Sequence, residues 1–540
     1  MFTRNVVKRN FFRDSLQLMR ISEEARKIPG VLDAAVVMGT WTNKEVLRRL
    51  GMLTGEGEAA SENDMILALK VEDESRLGDA ISAVEEMLLK TVEVSGEQEQ
   101  RYFSVESALE AMPDANLAVV SVPGEYAREV AMRFLERGVH VHLFSDHVPI
   151  EHEVELKRYA AECGLLVLGP GAGTSIINGR AIAFANVVRR GEVGIVAAAG
   201  TGLQEVSVLL DRIGLGVSQG LGIGGNDVKS AVGGIMAVEC IKALEADAET
   251  RLIMLVSKPP DRDVMERITR FIAEETRKPF VVCFLGETEY KPLKRIARRV
   301  SSARGLHAAV LDAARKLNPK SFNAARRKIT ISQTELSKLA ARLAKNLKPG
   351  QRHVRALYTG GTLMYEALLI YRELIGDVYS NAPLNEEMRL PDPYKSVGDA
   401  VIDLGEEEFT AGRAHPMIDP TIRRLRLVDE ARDPSVAVVL MDFMLGYGAH
   451  RDPAGAMLEA IREARGIASA EGRELVVMGH VCGTEADPQG LREQEEKLRS
   501  VGVEIFPTNA LMVIASALVA RRGKINKTKL RKVCRSFLRM

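Results

Sequence analysis

Two short stretches of this 540-residue chain carry the same chemistry at the same spacing. Val193–Ala199 is apolar, and Gly200-Thr201-Gly202-Leu203-Gln204-Glu205 follows it. Val354–Tyr358 is mostly apolar, and Thr359-Gly360 leads from it into Gly361-Thr362-Leu363-Met364-Tyr365-Glu366. An amphipathic stretch and a glycine end each copy, VSVLLDRIG in the first and ALLIYRELIG in the second. Both read as strand, Gly-Thr turn, helix. Such a turn aims backbone N–H groups outward at the positive end of a helix, where an oxyanion is favoured and phosphate above all. Two such ends on one chain are expected to close on a single phosphate. Gly200, Thr201, Gly202, Gly361 and Thr362 are therefore the candidate phosphate-binding residues, with the two threonine hydroxyls as additional donors. For either copy alone a structural reading suffices, since glycine suits tight turns and threonine caps helices. The repeated glutamate offset favours the anion site. Glu205 and Glu366 read either as dipole compensation on a solvated face or as catalytic groups that orient an amide or a proton. A carboxylate repels phosphate, so the catalytic role needs a proton or a cationic neighbour.

A third candidate lies in Gly412-Arg413-Ala414-His415-Pro416-Met417-Ile418-Asp419-Pro420. Two prolines restrict the backbone around a histidine and an arginine, as in a functional loop. Arg413 suits a forked contact to phosphate or a carboxylate substrate. His415 suits general acid–base work or phosphate acceptance. The acidic run Asp403 and Glu406–Glu408 reads as a solvated loop, and no spacing demands a metal. Asp442, Tyr447 and His450 follow one strand, and His480 with Thr484-Glu485 follows another; both groups read as ordinary loop polar residues. His140, His142, His147 and His152 are too unevenly spaced for a ligand cluster.

The elements that must position these residues alternate strand and helix, which implies parallel sheets. Five segments emerge: 1–95, 96–190, 191–345, 346–520 and a basic tail, 521–540. The first has helix signals at Ser15–Lys27 and Asp79–Leu89 and strand signals at Val31–Met38 and Asp64–Val71. A polar stretch, SGEQEQRYFS, reads as a linker. The second has buried-strand runs at Asn116–Val122, Val139–Ser145 and Leu165–Leu168, the last followed by Gly169-Pro170-Gly171-Ala172-Gly173-Thr174-Ser175. The third and fourth share their element order as well as the Gly-Thr motif. Residues 330–349 read as a connecting helix. The tail carries nine Lys or Arg and no acid, and reads as a solvated or partly disordered end, without the aromatic platform of nucleic-acid binding. Net charge is +1, with 46% hydrophobic and 27% charged residues, an ordinary globular composition. Five scattered cysteines without a C-x-x-C pair fit a reducing cytoplasm. No apolar run is long enough for a membrane span, and the N-terminus has no signal-peptide core.

The phrases GEVGIVAAAGTGLQE, GLGIGGND and LIMLVSKPP resemble the α subunit of ADP-forming succinyl-CoA synthetases. VVMGT-x-x-NK, PDANLAVVSVPGEYA, GPGAGTS, FANVV, LYTGGTL, IDLGEEEFTAGRAHPMIDPT, LGYGA and GTEADPQ extend the resemblance to the FdrA proteins, an acyl-CoA-synthetase-like family. The resemblance implies an α/β multidomain fold: a small N-terminal α/β domain, a Rossmann-like CoA-binding-type domain at 96–190, and two flavodoxin-like ligase domains. It implies CoA as the one candidate cofactor, met by Pro123, Gly169, Pro170, Thr174 and Ser175. In succinyl-CoA synthetases the two Gly-Thr helices come from different subunits and point at a phosphohistidine; here both lie on one chain. Glu205 matches the glutamate that meets the phosphohistidine, and Glu366 takes the equivalent place in the second copy. The sequence departs from the synthetases after Phe280–Leu285, where no histidine occurs until His307. It has no ATP-grasp domain, no clear CoA-phosphate turn before residue 115, and Gly171-Ala172 where FdrA relatives carry an acid and a cysteine. FdrA members are implied to act with partner subunits in oxamate carbamoyl transfer. The expected partners are thus other subunits of a carbamoyltransferase complex and a small acyl or carbamoyl phosphate. Two alternatives stand beside this: an acyl-CoA ligase working with an ATP-grasp partner, and a non-catalytic scaffold subunit.

Overall fold

The computed structural model describes residues 1–11, 13, 15–89 and 101–540. Most of the expected linker, residues 95–100, lies outside the described residues. The chain forms two compact units, one of 1–101 with 404–426 and one of 102–403 with 427–540.

The first unit is built on an antiparallel sheet of β1 (Phe2–Lys8), β2 (Val31–Met38) and β3 (Met65–Val71) in the order β1-β3-β2. Helices Ser15–Ala25 and Leu77–Leu89 bring Leu18, Ala25, Leu77, Ala80 and Val84 onto Val36, Leu67 and Leu69, which alternate along the strands as a one-sided sheet requires. Segment 404–426 belongs to this unit although its sequence neighbours do not. The reason is a set of side-chain bonds from the VVMGT-x-x-NK phrase. Asn43 Nδ2 donates to the Gly412 carbonyl at 2.9 Å and to the Met38 carbonyl at 2.8 Å, and Thr40 Oγ1 donates to the Ala411 carbonyl at 3.4 Å.

The second unit holds three sheets. A small parallel one runs β4 (Leu117–Val120), β5 (His140–Leu143), β6 (Val167–Leu168). The next contains β7 (Thr174–Ile177), β8 (Arg180–Ala183), β9 (Arg190–Ala197), β10 (Val217–Gly222), β11 (Leu252–Ser257), β12 (Phe280–Phe284) and β13 (Val300–Ser302), in the order β13-β12-β11-β9-β10-β7-β8. The last contains β14 (His353–Tyr358), β15 (Tyr379–Ser380), β16 (Ala400–Asp403), β17 (Val436–Met444), β18 (Val476–Cys482) and β19 (Glu504–Phe506), in the order β15-β16-β14-β17-β18-β19. Five parallel strands of each larger sheet follow one pattern, β10-β9-β11-β12-β13 and β16-β14-β17-β18-β19. In both, the first strand of the repeat lies between the second and third. That reversal is a topological switch point, where doubly wound folds open a crevice at the carboxyl ends of the strands. Each Gly-Thr turn sits there.

Residues 174–183, grouped by sequence with the CoA-binding-type segment, form an antiparallel hairpin that joins the larger sheet through Ile176 opposite Gly220. Asn178-Gly179, with φ of 50° and 74°, is the two-residue turn that favours it. The expectation of a solvated tail is overturned. Lys527–Leu538 is a helix, capped by Asn526 and burying Leu530, Val533, Cys534, Phe537 and Leu538, while its lysines stay outside. The connecting region is two helices, Phe322–Ile329 and Gln333–Leu343. No helix among the described residues is long and apolar enough to cross a membrane.

Candidate functional site

The helices that follow the turns, Gly200–Ile213 and Gly361–Leu374, pack together with Leu306–Leu317 and Asn509–Ala520. Every residue of Asn509–Ala520 is buried, as befits a helix apolar all round. The two N-termini meet. The Thr362 backbone N–H donates to Thr201 Oγ1 at 3.2 Å. A methyl group built on Gly202 would lie 2.9 Å from Thr362 Cγ2, and one on Gly360 would lie 3.1 Å from Thr201 Cβ. Glycine is thus required because the two turns touch, rather than for a special backbone angle. Gly200, Thr201, Gly202, Gly361 and Thr362 are brought together as the sequence predicts.

The turns differ in what occupies their donors. At the second, Asp442 Oδ1 accepts from Thr359 N at 2.9 Å and Oδ2 from Gly360 N at 2.8 Å. Asp403 stands beside it, its Oδ2 2.6 Å from where a Cβ on Gly361 would fall. The residues just before this helix are thus held by a carboxylate of the chain. At the matching place in the first copy, Ala198 N donates to the Val256 carbonyl at 3.0 Å instead. No side chain caps its helix, and the N–H groups of Gly200, Thr201 and Gly202 have no acceptor among the described residues. The strand register explains the difference. Four residues before Gly361, Leu357 pairs with Met441, so Asp442 comes one residue later. Four residues before Gly200, Val196 pairs with Leu255, and one residue later comes Val256. An apolar side chain stands where the second copy has its carboxylate.

Glu205 and Glu366 are both 1% exposed, so neither lies on a solvated face. They enter the seam between the two halves. Glu205 Oε2 pairs with His480 Nε2 at 2.7 Å, and His480 Nδ1 lies 3.1 Å from the Phe506 carbonyl oxygen. Burial alone would raise the Glu205 carboxyl; the charge and hydrogen bond of His480 outweigh it and hold Glu205 below its ordinary value. Glu366 Oε1 accepts from Leu306 N at 2.8 Å and Oε2 from Asn509 Nδ2 at 2.9 Å, while Tyr358 donates its hydroxyl to Asn509 Oδ1 at 2.6 Å. Burial pushes Glu366 up to about 7 against those bonds, with the nearby charge of Glu205 adding to the rise. The two conditions set for a glutamate beside phosphate are therefore divided between the copies: Glu205 has the imidazole, Glu366 the readiness to hold a proton. Both side chains are bonded within the seam. His307 is buried between Thr508 Oγ1 and Thr330 Oγ1, each 3.2 Å from a ring nitrogen, and burial drives it down to about 3.

Arg413 and His415 belong to the other compact unit. Arg413 Nη2 pairs with Asp419 Oδ2 at 2.7 Å, and Asp419 Oδ1 accepts from the Thr421 hydroxyl at 2.6 Å. The guanidinium expected to fork onto a ligand is thus engaged by Asp419. Burial would raise the Asp419 carboxyl, but Arg413 and Thr421 hold it below its ordinary range. His415 Nδ1 accepts from Met417 N at 3.2 Å.

Of the residues expected to meet CoA, Thr174 and Ser175 are spent on the fold. Thr174 Oγ1 donates to the Phe184 carbonyl at 3.1 Å, and Ser175 Oγ accepts from Gly222 N at 3.2 Å. Pro123 precedes the Gly124–Leu135 helix beyond β4, and Gly169-Pro170, a cis peptide, follows β6. Both hydroxyls are buried, and none of the five residues carries a cation for CoA phosphates.

Sequence reasoning left Lys258 unremarked and read His480 as a loop residue. His480 lies inside β18, and Lys258 directly follows β11. The signal for Lys258 was present: a basic residue at the carboxyl end of a strand beside a switch point. FANVV, LGYGA and GTEADPQ also find a shared role. Asn186 Nδ2 donates to the Leu445 carbonyl at 3.0 Å and to Asp487 Oδ2 at 2.9 Å, and Thr484 Oγ1 donates to the Val187 carbonyl at 2.6 Å. They latch the halves together.

Two doubly wound domains on one chain, joined at their helix N-termini, define a multidomain α/β protein. Residues 357–519 match the family model described as CoA-ligase, and residues 1–103 match one described as AllF, heavy metal-associated domain. The chain is 44% identical over 504 residues to the uncharacterized protein YahF of Escherichia coli (strain K12), covering 92% of this chain and 95% of that one, and it belongs to the family of that protein. It is 30% identical over 198 residues to the α subunit of the ADP-forming succinate–CoA ligase of Methanothermobacter thermautotrophicus, covering 36% of this chain and 65% of that subunit. Among solved structures, the dinucleotide-forming acetyl-coenzyme A synthetase 1 of Ca. Korarchaeum cryptofilum, in complex with phosphate and ADP, covers 78% of this chain and 84% of its own at 17% identity. Its TM-score of 0.26 is too low to bear on the site. The heavy-metal description does not fit the residues present, because positions 1–103 contain no cysteine and no histidine.

Proposed function

We propose that the chain is an FdrA-type subunit of a carbamoyl- or acyl-phosphate transferase, of the oxamate carbamoyltransferase kind, and that the Gly200 turn seats the phosphate. The observation that carries this reading is the open turn: three N–H groups at a helix N-terminus without an acceptor among the described residues, beside a second turn whose Thr359 and Gly360 donors go to Asp442 and whose Thr362 donor goes to Thr201. In the reaction the amide nitrogen of oxamate attacks the carbonyl carbon of carbamoyl phosphate. The C–O bond to phosphate breaks, and the nitrogen's proton ends on the departing phosphate. Carbamoyl phosphate and oxamate thus become oxalurate and hydrogen phosphate. Donors held in place by the fold need no reorganisation as charge gathers on the leaving oxygen. The experiment is phosphate release from carbamoyl phosphate with oxamate, using the chain together with its partner subunits. Release that depends on both substrates supports the reading; absence of release together with absence of carbamoyl phosphate binding ends it.

A second reading, an acyl-CoA ligase with an ATP-grasp partner, draws on the likeness to the succinate–CoA ligase α subunit. It requires CoA to bind the chain, which calorimetry decides.

A further inference from the structure

We propose that Lys258 fixes the charge of the ligand at the paired turns, so that the site takes a doubly charged phosphoryl group, as in an acyl phosphate or inorganic phosphate, in preference to a singly charged one. The proposal rests on the reading of the Gly200 turn as the phosphate seat.

Lys258 leaves β11 at the switch point, one residue past Ser257 and two past Val256. Val256 packs on the open turn, its Cγ1 3.2 Å from where a Cβ on Gly202 would fall. The ammonium reaches the seam, with Nζ 4.0 Å from the corresponding position on Gly361. It lies 5.6 Å from the ring centroid of Tyr365, in the first turns of the Gly361 helix. That distance is within cation–π range, and the partly buried ring confines the long side chain. Lys258 forms no ion pair among the described residues, whereas other cations of this region are neutralised: Arg304 pairs with Glu373, and Lys157, fully buried, with Glu153 and Asp227.

A second observation points to a ligand at the same place. Thr362 is 4% exposed, its side chain abuts Gly202, and its hydroxyl has no hydrogen-bond partner among the described residues. The methyl Cγ2 is the part that abuts Gly202, and the hydroxyl oxygen is not sealed off, so a ligand can reach it. The open N–H groups, the Thr362 hydroxyl and the Lys258 ammonium converge on one seam. Asp403 stands by Gly361 on the same side as Lys258, and Asp442 holds the residues before it. A helix end offers only a partial positive charge, about half an elementary charge. Against two carboxylates, a second negative charge on the ligand calls for a full cation, and Lys258 is placed to supply it.

The test is calorimetric titration of inorganic phosphate into the full chain, at a pH where the monoanion dominates and one where the dianion does. Wild type is expected to bind more tightly at the higher pH. Lys258→Gln is expected to weaken dianion binding about tenfold to a hundredfold, the range for a lost charge-assisted hydrogen bond, and to flatten the pH dependence. Lys258→Arg, which keeps the charge, is expected to restore most of both. If wild type binds and Lys258→Gln matches it in affinity and pH dependence, this proposal falls and the phosphate seat stands. A loss that arginine does not rescue overturns the charge role as well. If wild type binds no phosphate, both fall.

Discussion

The two Gly-Thr turns descend from one pattern and do opposite things. The Gly361 turn gives its Thr359 and Gly360 donors to Asp442 and its Thr362 donor to Thr201. The Gly200 turn keeps the Gly200, Thr201 and Gly202 donors without an acceptor among the described residues. One register position decides it, Asp442 in one copy against Val256 in the other. The difference teaches that two copies of one motif can keep the same fold while a single register position changes what the turn bonds to. Below the turns the glutamates diverge in the same way. Glu205 faces a histidine and stays ionised; Glu366 faces an amide and a backbone N–H and is pushed toward the neutral form.

The largest effect is expected from Glu205→Ala. It leaves His480 buried without its carboxylate, and breaking such a pair costs about 3–5 kcal/mol. Chemical denaturation measures it, and a loss below about 1 kcal/mol would show that the pair contributes little to the seam. Next is the pH dependence from Glu366. Its folded value near 7 exceeds the ordinary 4.5, so the folded state binds the proton more tightly. Stability is therefore full below 4.5, falls as pH rises through the window, and is lowest above 7, by about 3 kcal/mol in all. Glu205, held below 4.5, works the other way: its contribution is present above 4.5 and is lost as pH falls. Glu366→Gln should remove the first trend from thermal melts taken across that range; an unchanged slope would assign it elsewhere. Asp442→Ala should cost roughly 1–3 kcal/mol by stranding the Thr359 and Gly360 donors. It should also make the second turn responsive to phosphate, so that added phosphate recovers part of the melting temperature. Thr201→Val should have the smallest effect, about 1 kcal/mol, from one lost hydrogen bond at the turn contact. Thr201→Ser, which keeps the hydroxyl that accepts from the Thr362 backbone N–H, separates that bond from the change of shape.

Much of this was legible in the residues. The doubly wound sheets, the Gly-Thr turns and their pairing followed from strand–helix alternation and a repeated glycine spacing. Three things were not. Asp442 and Val256 differ in role only through register, which a single sequence does not state. The buried glutamates looked solvated because four residues past a turn is a surface position on an isolated helix; a second copy of the domain covers it. Arg413 and His415 read as ligand-facing because the prolines around them signal a shaped loop. That shape is held by Asp419 and by Asn43, several hundred residues away in the chain.

The most direct measurement is phosphate binding by wild type and by Val256→Asp, which places in the first turn the carboxylate that the second already has. One phosphate per chain in wild type, lost or weakened at least tenfold in a folded Val256→Asp chain, is the predicted result. Equal binding by both, or none by wild type, would contradict the claim that the Gly200 turn is the open oxyanion seat.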